Sequence, residues 1–158
     1  MILGPFLGQT RRGWRRCCST LPPLVTIISL EQVTSTYSKL SALTWRQAVG
    51  TYQAGSLGGF DFIASAELVE TLGLGASGEP LNPFGDLEAM AQLWCLLKPG
   101  GLLFLGAGVS PRSHIVYNSR RSYGPERMRH IGAGFEHLAH LGGWDGDAVF
   151  VLKKPNSQ

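Results

Sequence analysis

Three short runs, LVTIISL at 24–30, FDFIAS at 60–65 and LLFLG at 102–106, are apolar at consecutive positions instead of alternate ones. A strand that is apolar on both faces has to be covered on both, as in the parallel sheet of a layered α/β fold. Parallel neighbours need a crossover of a dozen or more residues, and a helical pattern lies in each gap. In the first gap Thr44 is placed to cap a helix whose Trp45, Ala48, Val49 and Tyr52 fall at i, i+3, i+4 and i+7. Gly55 ends it, helped by Gly58 and Gly59. Residues 31–43 are ambiguous: VTSTY reads either as a second strand or as an irregular link. In the second gap a glycine-marked loop from Gly73 to Asn82 is closed by Pro83. Asp86 is expected to cap the helix that follows, with Leu87, Met90, Ala91, Trp94 and Leu97 as its apolar stripe and Lys98-Pro99-Gly100-Gly101 as its stop.

The pattern changes after a short helical candidate at 125–130. FEHLAHL at 135–141 alternates, Gly142-Gly143 turns, and AVFVLKK returns at 148–154, which predicts an antiparallel hairpin. His137 and His140 lie three apart in the first of these strands, where a regular pleat sends them to opposite faces. That spacing predicts no shared metal ion.

Composition narrows the function classes. The chain has 158 residues, 44% hydrophobic and 16% charged, which fits one domain with a core and excludes a chain disordered by charge. No apolar run approaches the ~18–20 residues of a membrane-spanning helix. Three cysteines and no glycosylation acceptor give no sign of secretion. The net charge of +3 divides unevenly: Arg11, Arg12, Arg15 and Arg16 with no acid give residues 1–23 a charge of +4, and residues 24–158 carry −1. The body therefore lacks the clustered bases of a nucleic-acid surface. Residues 1–23 form a basic tail ending at Pro22-Pro23, read as a mitochondrial transit peptide or as a disordered tail without an address. The expected location is cytoplasmic, with mitochondrial as the alternative. The cysteine pair Cys17-Cys18 has no histidine or further cysteine at ligand spacing.

FDFIAS, a helix ending in LKPGG, the strand LLFLG and the final hairpin resemble the second half of a class I S-adenosylmethionine-dependent methyltransferase. A narrower resemblance covers about three quarters of the chain. GLGASGEPLNPFGD at 73–86 and NSRRSYGP at 118–125 are similar to an uncharacterised methyltransferase-like family, a domain of unknown function, with typical motifs EHSGLGRYGDPLNPWGD and NAHRxYGP. TYSKL at 36–40 is similar to a family EYNKL. The resemblance implies an incomplete Rossmann-like α/β domain at 24–158, a parallel sheet with a closing hairpin. The first strand and its glycine-rich turn are absent by this alignment, because no GxGxG follows a strand. Without its first strand FDFIAS would have an unpaired edge, to be covered by residues 24–40 or by a protein partner or second copy.

What the resemblance implies about function follows residue by residue. Ser65, Ala66 and Glu67, just past the carboxyl end of a strand, would border S-adenosylmethionine, and Glu70 keeps the family acid of the EH pair. The acid that binds the ribose hydroxyls falls on Thr36 by the EYNKL match, with Glu31 as its substitute in another register. Asn118, Arg121 and Tyr123 are the catalytic candidates: an amide, a guanidinium and a phenol able to bind an anionic or hydroxylated acceptor, small or sugar-like. The alternative for Arg121 is structural, an ion pair with Glu79 or Asp86 that pins the 73–83 loop. Both family histidines are replaced, one by Thr71 and one by Arg120. The chain is thus expected to be methyltransferase-like yet inactive as written, with a non-catalytic interaction module or truncated family member as the other reading.

Overall fold

The computed structural model describes residues 2–4, 25–29, 40–57, 59–75, 78–116 and 119–156. Their elements are, in order, β1 (Ile2–Gly4), β2 (Val25–Ser29), β3 (Leu40–Thr44), α1 (Trp45–Gln53), β4 (Phe60–Ser65), α2 (Leu68–Thr71), α3 (Gly85–Leu96) and β5 (Leu97–Val109), then β6 (His114–Ile115), β7 (Arg121–Ser122), α4 (Pro125–Ile131), β8 (Glu136–Leu141) and β9 (Gly146–Lys153). Seven strands form one sheet in the order β3-β2-β1-β4-β5-β9-β8. The pairs β2–β3 and β4–β5 are parallel, and β9 and β8 close the sheet antiparallel. This is the α/β architecture with a terminal hairpin expected from the apolar runs.

The centre of the sheet departs from expectation. The edge of β4 is covered neither by residues 24–40 nor by another chain. Ile2–Gly4, from the segment read as a tail, pairs with both β4 and β2, and it runs antiparallel to each. Three residues suffice because the gap is one strand wide and every backbone group in it needs a partner.

Local chemistry explains most element boundaries. Thr44 caps α1 as predicted, its hydroxyl accepting the Gln47 N–H while the Gln47 side chain accepts the Thr44 N–H, a reciprocal capping box. Asp86 is not the cap of α3. The helix begins two residues earlier, at Gly85 behind Phe84, started by an Asn82 side chain that accepts the Phe84 N–H. Its buried face is Ala89, Met90, Leu93 and Leu96, so the predicted stripe is corrected by a turn of one residue, ~100° about the axis. The cause is Asp86 itself, a fully buried carboxylate on the inner face that the apolar pattern reads as outer. The LKPGG stop is not a loop but the first part of β5, with Lys98 paired to Asp61 of β4 at 2.9 Å.

The core lies on one face of the sheet. Ile63, Leu103, Leu105, Phe150 and Leu152 point into it and are at most 2% exposed. On the opposite face Phe62, Leu102 and Phe104 are half-buried and border an apolar groove of about 560 Å³. The carboxyl ends of β4 and β5 open on a separate cleft between α2 and the β8–β9 hairpin.

Candidate functional site

That cleft, of about 340 Å³, is built at the edge where open α/β sheets hold ligands. Ala66 and Glu67 follow β4, Gly106–Gly108 of β5 form its floor, and Glu70, Arg120 and Asp147 bring charge to it. Glu67 has φ +61°, and among the described residues it is the one non-glycine in the left-handed region. A non-glycine residue held there stores on the order of 1 kcal/mol or more of strain, and such strain concentrates at functional sites. The turn it makes swings α2 back over the sheet. It carries Glu70, 1% exposed, inward so that its Oε2 accepts the Gly108 N–H at 2.7 Å. Arg120 reaches the other Glu70 oxygen at 3.4 Å and Asp147 at 3.0 Å. These two carboxylates, Glu70 first, hold the Arg120 guanidinium still more firmly protonated than usual.

A second constellation lies behind the cleft, and it joins both motifs that carry the family resemblance. The two ends of the 73–82 loop meet where the Asn82 N–H donates to the Gly73 carbonyl at 2.9 Å. Gly73 is required there: its φ is +76° and a Cβ would stand 2.3 Å from the Asn82 oxygen. Arg121, 4% exposed, donates to the Leu72 carbonyl on one side of this neck and to the Asn82 carbonyl, 3.0 Å away, on the other. Its Nε is 3.8 Å from Asp86. Arg127 of α4 binds Asp86 through two nitrogens, at 2.6 and 3.1 Å, and also donates to the Pro83 carbonyl. The hydrogen bonds with Asp86 raise the Arg127 pKa. The motif residues Gly73, Asn82, Asp86 and Arg121 thus form a clasp that fixes the loop against α3 and α4.

The candidate residues fall into four groups. Ala66, Glu67 and Glu70 are brought together at the cleft. Ser65 ends β4 facing inward, 2% exposed, its hydroxyl without a hydrogen-bond partner among the described residues. Arg121 and Tyr123 belong to the clasp, where they border a smaller pocket of about 280 Å³. Arg121 takes there the loop-pinning place weighed as its alternative. Glu31 and Asn118 lie outside the described residues. Sequence reasoning passed over Arg120, Asp147 and Arg127. Only for Arg120 was there a signal, its substitution for a family histidine at a motif position.

Tyr123 gives a prediction about its own role. It is 1% exposed, and its hydroxyl has no hydrogen-bond partner among the described residues. Burial first, and the Asp86 carboxylate second, push its pKa up. In the unfolded chain the phenol ionises near pH ~10 while in the folded chain it stays neutral. Its contribution to stability is therefore complete below about pH 10, and is lost at about 1.4 kcal/mol per pH unit above it. Tyr123→Phe keeps the ring in place, so the variant is expected to match the parent at neutral pH and to lose less stability from about pH 10 to 11. Urea denaturation at the two pH values checks it. A variant weaker by over ~1 kcal/mol at neutral pH would mean that the hydroxyl is bonded after all.

The comparisons bear on the fold. The chain superimposes on the N-methyltransferase NodS of Bradyrhizobium japonicum with a TM-score of 0.57 at 14% identity, covering 83% of this chain and 73% of that one. NodS in complex with S-adenosyl-L-homocysteine gives 0.55 at 15% identity, over 83% and 66%. The 1,6-didemethyltoxoflavin-N1-methyltransferase of Burkholderia thailandensis, with that substrate and S-adenosylhomocysteine bound, gives 0.55 at 14%, over 83% and 61%. The chain thus spans just under two thirds of the length of the two cofactor-bound structures. At these identities the likeness is one of fold, a methyltransferase-like Rossmann arrangement. No curated protein matches the chain in sequence. The model of the family described as Caenorhabditis protein of unknown function, DUF268, matches residues 24–155, from the start of β2 to just past β9, and the chain belongs to that family.

Proposed function

We propose that this chain is a methyltransferase-like scaffold that keeps a small-molecule cleft at the carboxyl ends of β4 and β5 but does not by itself transfer a methyl group. The observation that carries this reading is the direction of β1. In the fold that the resemblance implies, the central strand runs parallel to its neighbours and delivers a glycine-rich turn to the ligand edge. Here the strand in the central place pairs Ile2 with Ala64 and Gly4 with Phe62, so the chain leaves it toward the opposite edge. β1 thus ends, at Gly4, on the side of the sheet away from the cleft, where a parallel central strand would end beside it. Glu70 adds to the mismatch, since its carboxylate is already engaged by a backbone N–H and by Arg120. The described residues therefore do not by themselves make up a complete site for S-adenosylmethionine.

A second reading, a working methyltransferase, is favoured by one feature: the strained backbone of Glu67 at the ligand edge. Under it Ala66, Glu67 and Glu70 would face the cofactor. Thermal denaturation with millimolar S-adenosylmethionine and S-adenosylhomocysteine separates the two. The first reading expects no change in Tm. The second expects about 2.7 kcal/mol at a hundredfold excess over Kd, a rise of several degrees for a chain of this size. A saturable rise that Glu70→Gln abolishes would overturn the misfit on which the first reading rests and favour the second, and transfer of a labelled methyl group from S-adenosylmethionine would then establish it. Among the described residues no helix is long and apolar enough to cross a membrane.

A further inference from the structure

We propose that His137 and His140, on the edge strand of the sheet, form a two-imidazole site for a divalent transition-metal ion, separate from the cleft. The pleat argument that sends residues i and i+3 to opposite faces fails here because β8 is bulged. On the regular partner strand β9, Phe150 and Leu152 are two residues apart and share the buried face. Their partners are His140 and His137, and the register shifts between His137 and Ala139. The bulge inserts one residue and brings both imidazoles to the same side, the re-aiming of side chains for which bulges are used. Glu136 points the other way and pairs with Lys153 at 3.6 Å.

The ring geometry suits a shared ion. The two centroids are 6.0 Å apart, with the planes inclined by 40°. At a metal–imidazole bond of ~2.0–2.1 Å each ring centroid stands about 3.2 Å from the ion, so two rings on one ion are at most about 6.4 Å apart. A tetrahedral angle needs about 5.2 Å and the right angle between neighbouring ligands of Ni²⁺ about 4.5 Å, each reached by side-chain rotation of the two exposed rings. Aromatic side chains line the same patch. Phe150, the cross-strand neighbour of His140 on β9, stands beside both, 6.0 Å from His137 and 6.1 Å from His140, and Trp144 flanks His140 at 5.5 Å. Both histidines are exposed, so an ion reaches them directly from water. No group of three or more ligating residues occurs among the described residues, so water completes the shell. Nitrogen ligands select the later first-row ions, with affinity rising from Co²⁺ through Ni²⁺ to Cu²⁺, over Mg²⁺ and Ca²⁺.

The test is calorimetric titration of the full chain with NiCl₂ near neutral pH. The parent is compared with His137→Ala, His140→Ala, the double variant His137→Gln/His140→Gln and the control His114→Ala/His130→Ala. The expected result is one histidine-dependent Ni²⁺ per chain. Either single variant should weaken it at least about tenfold, since losing one of two ligands ends chelation. The control should leave it unchanged, and excess Mg²⁺ should not compete. Ni²⁺ should also quench the fluorescence of Trp144, and Trp144→Phe should lose that signal while still binding the ion. Both histidines sit on an exposed strand, and circular dichroism checks that every variant is folded. Equal binding by the parent and the Gln double variant would assign the ion to other groups, such as the thiols, and overturn the proposal. So would the absence of binding at millimolar Ni²⁺.

Discussion

Asp86→Ala is expected to destabilise the protein by about 4–5 kcal/mol, the upper range for removing one partner of a buried ion pair. Asp86 is fully buried and receives two nitrogens of Arg127, with Arg121 at 3.8 Å. Its loss leaves two guanidinium groups, one of them 4% exposed, without the carboxylate that offsets their desolvation. Because a domain is stable by only ~5–15 kcal/mol, the variant should show a urea midpoint far below that of the parent. Asp86→Asn keeps the shape and one acceptor but no charge, and should recover only part of the loss. A loss below ~1 kcal/mol for Asp86→Ala would show that the carboxylate does not hold the clasp.

Arg121→Ala is expected to lose about 3 kcal/mol, less because Asp86 keeps Arg127. The second consequence is local. The substitution removes the donor shared by the Leu72 and Asn82 carbonyls, the two sides of the loop neck. Residues 73–82 should then be cut by protease at sub-denaturing conditions where the parent resists. Unchanged cleavage, with stability also unchanged, would argue that Arg121 contacts a ligand instead. In a double-mutant cycle with Asp86→Ala the two losses should fall short of additive, since both act on one network.

These predictions recast the motifs that made the family recognisable. GLGASGEPLNPFGD and NSRRSYGP look like chemistry because they combine glycines, an amide, arginines and a phenol. In the fold Gly73 admits a close carbonyl, Asn82 starts α3, Gly124 precedes α4, and Arg121 and Arg127 close the loop. The cleft instead gathers residues that lie far apart in sequence, Glu67 and Glu70 from one segment, Arg120 and Asp147 from two others.

How much was legible follows the range of each interaction. The buried strands, the Thr44 cap of α1 and the closing hairpin were readable because a few adjacent residues dictate them: unbroken apolar runs, a threonine ahead of a helical stripe, a glycine turn. The register of α3 was not, because Asp86 is polar in sequence and buried in space, and its partners Arg121 and Arg127 lie far along the chain on other elements. The face shared by His137 and His140 was not, because a bulge is a property of two strands and not of one. By itself, then, the sequence determined the class of the fold and the order of its elements, through patterns that act within one or two turns of chain. Only the tertiary structure decided which strand fills the centre of the sheet, in which direction it runs, and which charges meet at the cleft. Those outcomes depend on pairing partners distant in sequence, and local pattern carries no record of them.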